Sequence, residues 1–166
     1  TITKALREAR KAEVRGVLLR VTSPGGSYIA SDLIRREVQL TREAKIPVVV
    51  SMGNVAASGG YFVAMDADAI VADAGTITGS IGVFMGILSM RRFFANLMGI
   101  TFDTYDAAPD AAAIGWLDPP TLRARERISM SLDRIYDDFV QKAAQGRKLF
   151  VFFRPFHQAA RRGSAH

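Results

Sequence analysis

Two loops carry the residues that could do chemistry. One is Ser23-Pro24-Gly25-Gly26; the other runs Gly53-Asn54-Val55-Ala56-Ala57-Ser58-Gly59-Gly60-Tyr61. Small residues flank Ser58 and let another backbone come close. If a helix starts just after Ser58, its hydroxyl sits at a positive helix end with free N–H groups nearby. That geometry suits a nucleophile facing an oxyanion, and glycines of the first loop are placed to supply a second N–H donor. The same small residues also suit tight strand-to-helix turns with no chemistry, and spacing alone leaves both readings open. Neither loop is a phosphate motif, since GxGxxG and the Walker pattern are absent. With no Cys there is no thiol nucleophile, thiolate metal site or disulfide framework. The two histidines, His157 and His166, sit near the end, and no carboxylates show EF-hand or HExxH spacing, so neither metal nor cofactor is expected.

The elements that must position these loops follow from periodicity. Residues 2–14 show a helical stripe through Ala5, Leu6, Ala9 and Ala12. Gly16 to Thr22 is a short apolar run that reads as a buried strand, stopped by the Ser-Pro-Gly-Gly breaker. Residues 28–44 return to helical spacing through Ile29, Leu33, Ile34, Val38 and Leu40. Pro47 to Met52 is a second buried strand, followed by a Gly/Ala/Ser-rich turn and a short helix over Gly60 to Ala67. Ala69 to Ala72 is a third strand, and SIGVFMG within Gly75–Gly86 looks strand-like. A helix is expected over 89–98, a strand over Ile100–Tyr105, a loop over 106–120, and a long amphipathic helix from Thr121 to about Gly146. Alternating strands and helices predict an α/β fold with a mostly parallel sheet. Functional loops in such sheets lie at the carboxyl ends of the strands, where both candidate loops fall.

Length and composition agree. At 166 residues the prior is one domain with a real core, and 49% apolar with 23% charged residues is ordinary globular composition. No apolar run reaches the ~18–20 residues needed to span a bilayer. The net charge of +6 invites a nucleic-acid reading, but its location argues against one. All 16 acidic residues and 16 of the 22 basic ones lie within residues 1–138, which are therefore neutral. The excess sits at the C-terminal end, on Lys142, Arg147, Lys148, Arg154, Arg161 and Arg162. No nucleic-acid partner is expected.

Three stretches, LRVTSPGGS at 19–27, VVSMGNVAASGGYFVA at 49–64 and TITGSIGVF at 76–84, resemble in order and separation the SppA signal peptide peptidase family of serine peptidases. The resemblance covers roughly residues 1–148, the expected peptidase domain. It implies a ClpP/crotonase-like spiral of ββα units. It matches Ser58 to the nucleophile and Gly59, with Gly25 or Gly26, to the oxyanion-hole region. Ser80 matches a hydroxyl that hydrogen-bonds a catalytic lysine. The implied reaction is peptide-bond hydrolysis by a Ser–Lys dyad, which suits an α/β region without histidine. A lysine acts as base only when neutral, so burial must lower its pKa.

The chain departs from that pattern in two places. Single-domain members carry the lysine about fifty residues after the serine, where this chain reads AAPDAAAIGWLDPP, and no lysine lies between Lys45 and Lys142. Arg91 and Arg92 stay protonated and cannot substitute. Lys4, Lys11, Lys45, Lys142 and Lys148 are poor candidates, so the general base is left unassigned. The pattern instead resembles the C-terminal half of the long two-repeat members, whose N-terminal repeat supplies the lysine; the opening Thr1 is read as marking a fragment. Residues 149–166 form an atypical, Phe-rich, acid-free tail, read as frameshifted or as a local binding segment. The resemblance further implies peptide substrates such as cleaved signal peptides and a homo-oligomer. It also implies a bacterial inner-membrane site on the periplasmic side, reached through a segment absent from this chain. The alternatives are a catalytically incomplete assembly subunit and a crotonase-like acyl-CoA enzyme.

Overall fold

The computed structural model describes residues 1–105 and 115–149; the atypical tail beyond Leu149 and residues 106–114, the first part of the expected loop over 106–120, lie outside them. By contact density the chain forms two compact units: Thr1–Gly82 with the segment from Ile135 onward, and Val83–Arg134.

The first unit contains α1 (Ile2–Lys11), β1 (Val17–Ser23), α2 (Tyr28–Glu43), β2 (Val48–Ala57), α3 (Gly59–Ala64), β3 (Ala69–Val71) and β4 (Ile77–Gly79). The second contains α4 (Arg91–Met98), and α5 (Leu122–Arg147) starts there and ends in the first unit. Among the described residues every strand pairing is parallel. The sheet order is β1-β2-β3, with β4 pairing β2 as well. The chain thus adopts the expected mixed α/β class with a parallel sheet.

β2 organises the site. The Gly/Ala/Ser-rich stretch expected as a turn is the second half of this ten-residue strand. Its first half pairs β3 (Val49↔Ala69 to Ser51↔Val71), and its second half pairs β4 (Val55↔Ile77 to Ala57↔Gly79). Thr76 Oγ1 donates to the Gly53 carbonyl and Thr78 Oγ1 to the Ala56 carbonyl, both at 2.9 Å. Gly53 is required by close approach: a Cβ there would lie 2.2 Å from Thr22 Oγ1.

Two expected strands are absent. SIGVFMG forms none, because Gly79 (φ 74°), the last residue of β4, and Ser80 (φ 48°) turn the chain out of extended geometry. Residues 100–105 form none either; they fold back onto α4. The Ile100 N–H donates to the Phe94 carbonyl, and Arg91 Nη1 donates to the Phe102 carbonyl. Phe94, Phe102 and Trp116 pack edge-to-face at 5.4–6.0 Å between ring centroids, which favours aromatic packing over strand pairing here.

The core of the first unit lies between the sheet and its helices. Leu6, Val38, Val48, Val50, Met52, Ala56 and Ala64 are buried together. A second cluster, Phe62, Met65, Phe139 and Ala143, fixes α3 against the end of α5. The approach there is close, since a Cβ on Gly146 would lie 2.6 Å from the Met65 carbonyl oxygen. Arg35 bonds both Asp66 (2.5 Å) and Asp32 (2.9 Å), and Lys142 bonds Asp32 (2.9 Å) and Asp138 (2.8 Å). The helices around α3 are therefore held by paired rather than lone charges.

Candidate active site

Ser58 sits at the junction of β2 and α3, as the residue before the first helical turn. Its backbone adopts φ 50°, ψ −120°, a region costly for a residue with a Cβ, by about 1–3 kcal/mol. Three contacts enforce it. Its N–H donates to the Gly79 carbonyl at 2.9 Å, its carbonyl accepts from the Phe62 N–H at 2.9 Å, and Phe62 is anchored in the aromatic cluster. The side chain makes no capping hydrogen bond and is half-buried, so the hydroxyl is left free of the helix. A serine presented on a strained strand-to-helix turn is a known way to expose a nucleophile.

The Ser-Pro-Gly-Gly loop lies against this turn. A Cβ on Gly25 would fall 2.7 Å from Gly59 N and 2.8 Å from Ser58 Cβ; one on Gly59 would fall 3.2 Å from Gly26 N. Gly25 (φ 106°) and Gly26 (φ 146°) take conformations that suit glycine. The structure thus brings Ser58, Gly59, Gly25 and Gly26 together. It also separates the last two. The Gly25 N–H donates to Ser23 Oγ at 3.1 Å, whereas the Gly26 and Gly59 N–H groups have no hydrogen-bond acceptor among the described residues.

Ser80 follows Gly79 directly, so it sits one residue beyond the strand whose last carbonyl holds Ser58. It is exposed and, like Ser58, has positive φ. Two hydroxyls that sequence reasoning did not single out also border the site. Ser23 ties down Gly25, and the Oγ of buried Ser31 lies 2.6 Å from where a Cβ on Gly59 would be. The Ser-x-Gly spacing at 23–25 was the available signal for the first; nothing local points to the second. A cavity of about 290 Å³ backs Gly26 and Gly59, with Leu19, Val21, Ile34 and Val63 among its walls.

No lysine among the described residues hydrogen-bonds Ser58. Lys4, Lys11, Lys45 and Lys148 are exposed. Lys142 is half-buried, 5.5 Å from the Phe62 ring centroid. Burial works against its charge, but hydrogen bonds to Asp138 and Asp32 outweigh that and hold its pKa above the ordinary lysine value. Burial likewise pushes Asp32 up, yet the bonds from Lys142 and Arg35 leave it below the usual carboxylate range. Lys142 is thus a protonated structural cation, the reverse of a lysine base. Among the described residues no cluster of His, Cys, Asp and Glu could hold a metal.

A sequence model of "Peptidase family S49" matches residues 41–152. Among curated relatives, "Protease 4" of Salmonella typhi is 38% identical over 149 residues, covering 89% of this chain and 24% of that protein. "Serine protease SPPA, chloroplastic" of Arabidopsis thaliana is 38% identical over 149 residues, covering 89% and 21%. "Putative signal peptide peptidase SppA" of Enterococcus faecium is 35% identical over 136 residues, covering 82% and 39%. The chain therefore spans about a quarter of the length of the first of these. Among solved structures, a Pseudomonas malonate decarboxylase hetero-tetramer in complex with malonate is similar over 98% of this chain and 72% of that one, at 19% identity and a TM-score of 0.43.

Proposed function

The chain belongs to peptidase family S49, and from that premise we propose that it is the serine-bearing part of a peptidase that hydrolyses peptide bonds through Ser58. One observation carries the reading: a strained, uncapped Ser58 lies against the Ser-Pro-Gly-Gly loop, and the N–H groups of Gly26 in that loop and of Gly59 at the start of α3 have no acceptor among the described residues. Ser58 Oγ attacks the scissile carbonyl carbon and its proton passes to a base. The Gly26 and Gly59 N–H groups hold the resulting oxyanion. Collapse breaks the C–N bond as the proton passes to the leaving amine. Water then hydrolyses the acyl-serine by the same steps in reverse roles.

The base is a neutral lysine contributed from outside the described residues, by a preceding repeat of a longer protein. Two facts support this. The lysine-free interval between Lys45 and Lys142 includes the loop where the resemblance would place it, and Lys142 is held protonated. Ser80, one residue past the carbonyl that binds Ser58, is the hydroxyl that would orient that lysine. The apolar cavity behind the glycines supports substrates with an apolar side chain, such as cleaved signal peptides. The second unit exposes Phe84, Leu97 and Leu122 at 92%, 74% and 79%, which supports burial in a homo-oligomer. Among the described residues no helix is long and apolar enough to cross a membrane. The periplasmic inner-membrane location that the resemblance implies is part of this proposal. The acyl-CoA alternative gains nothing from the family match.

The test is a fluorogenic apolar peptide and a fluorophosphonate probe. They are applied to this chain alone and to the longer protein that contains it. Turnover and Ser58 labelling are expected only in the longer protein, and Ser58→Ala abolishes both. Absence of labelling in the longer protein as well would favour the incomplete assembly subunit, a reading that rests on the same missing lysine.

A further inference from the structure

We infer that Ser23 is a positioning residue that selects Gly26, and not its neighbour Gly25, as the loop's oxyanion donor; the inference rests on the nucleophile reading of Ser58.

Two adjacent glycines offer two N–H groups, and one that already donates within the protein is withdrawn from an oxyanion. The bond from the Gly25 N–H to Ser23 Oγ decides between them, because it turns the Gly25 donor back toward the strand. The loop does not fix itself, since both glycines sit at positive φ and lack the side chains that would limit their freedom. Ser23, by contrast, is fixed on both sides. It is the last residue of β1 and pairs with Ala56 after a register shift that follows Val21↔Met52. Its carbonyl oxygen lies 2.6 Å from where a Cβ on Gly60 would be, so its backbone rests on the first turn of α3. Strand, loop and the turn bearing Ser58 and Gly59 thus meet at this residue. The hydrogen bond its hydroxyl accepts from Gly25 sets which loop N–H stays without an acceptor among the described residues. Ser23 touches no reacting atom; it acts through the orientation of Gly26.

Two experiments test this, one independent of turnover. Residue-resolved amide exchange on the unaltered protein should show Gly25 protected and Gly26 exchanging fast. In Ser23→Ala both should exchange fast. Equal rates at the two glycines in the unaltered protein would overturn the inference outright. The second experiment measures kinetics in the complete peptidase. Loss of a whole oxyanion donor costs about 10²–10³ in kcat; a donor left in place but untethered should cost roughly tenfold. Ser23→Ala is therefore expected to lower kcat about tenfold with KM within twofold. It should weaken a peptide boronate, whose tetrahedral adduct mimics the oxyanion, by the same factor. Ser23→Thr, which keeps the acceptor, should restore both. If Ser23→Ala fails to fold, Ser23→Cys replaces it, since a thiol is only a weak acceptor. Unchanged kcat, or equal losses in boronate and substrate affinity, would refute the positioning role. Ser58→Ala is the control: if it stays active, the nucleophile reading falls, whereas an inert Ser58→Ala beside a fully active Ser23→Ala sinks this inference alone.

Discussion

Lys142 is the residue whose substitution best separates structure from catalysis. It is the one lysine partly buried among the described residues, and a search for a lysine base would settle on it first. Replacing it by methionine keeps the stem over the Phe62 and Tyr28 rings and removes the charge. The partners are not orphaned: Asp32 keeps its 2.9 Å bond from Arg35, and Asp138 keeps the 2.5 Å bond from the Tyr28 hydroxyl. The loss should therefore fall well short of the ~3–5 kcal/mol of a stranded buried charge, at about 1–2 kcal/mol for a partly exposed pair. For a chain of this size that lowers Tm by about 2–8 °C. The pH dependence follows from the direction of each shift. Lys142 is raised, so its contribution is present below the ordinary value of 10.5 and is lost as pH rises through the higher folded value. Asp32 is lowered, so its contribution is present above the ordinary value of 3.8 and is lost as pH falls through the lower folded value. Between those limits the difference in Tm between the two proteins should be flat. Turnover of the complete peptidase should change less than about threefold, because loss of a general base would cost 10²–10⁴-fold. Thermal unfolding across pH and peptide hydrolysis are the assays. A hundredfold loss of turnover at unchanged Tm would make Lys142 the base and refute the argument from its ion pairs.

Ser58→Gly removes the Cβ from a residue at φ 50° and should stabilise the fold by about 1 kcal/mol of relieved strain, seen as a slightly higher Tm, while abolishing fluorophosphonate labelling; a lower Tm would contradict the strain. Gly25→Ala drives a Cβ to 2.7 Å from Gly59 N at φ 106° and should cost about 2–5 kcal/mol in denaturant unfolding, along with activity. Gly75→Ala, with open space around it, should stay within about 0.5 kcal/mol, and a comparable cost there would remove the distinction. Phe62→Ala, at a residue 1% exposed, should cost about 3–5 kcal/mol and loosen the turn that presents Ser58; a variant as stable as the parent would show that α3 is held by other contacts.

Much of this protein is readable from its residues, because the signals are local. Apolar runs read over 16–22 and 47–52 specify strands, and period-3.6 stripes specify α1, α2 and α5, since each pattern buries one face only in that element. The small residues around Ser58 mark a close approach before any fold is known. Where the sequence misleads, the missing information is a partner. Residues 53–57 look like a turn until β4 supplies a ladder and Thr22 the close neighbour that demands Gly53. SIGVFMG and 100–105 look like strands, yet one opens on positive-φ Ser80 directly after positive-φ Gly79 and the other finds aromatic rings instead of a strand. The site divides in the same way. Sequence identifies a serine and two pairs of glycines, but it cannot say which N–H groups are free. That depends on Ser23 accepting from Gly25 and on Gly79 accepting from Ser58. It also cannot say that Lys142 is unfit as a base, because the carboxylates that keep it protonated include Asp32, 110 residues away in the chain. Backbone patterns are encoded in neighbours along the sequence; hydrogen-bond competition and pKa are decided by neighbours in space.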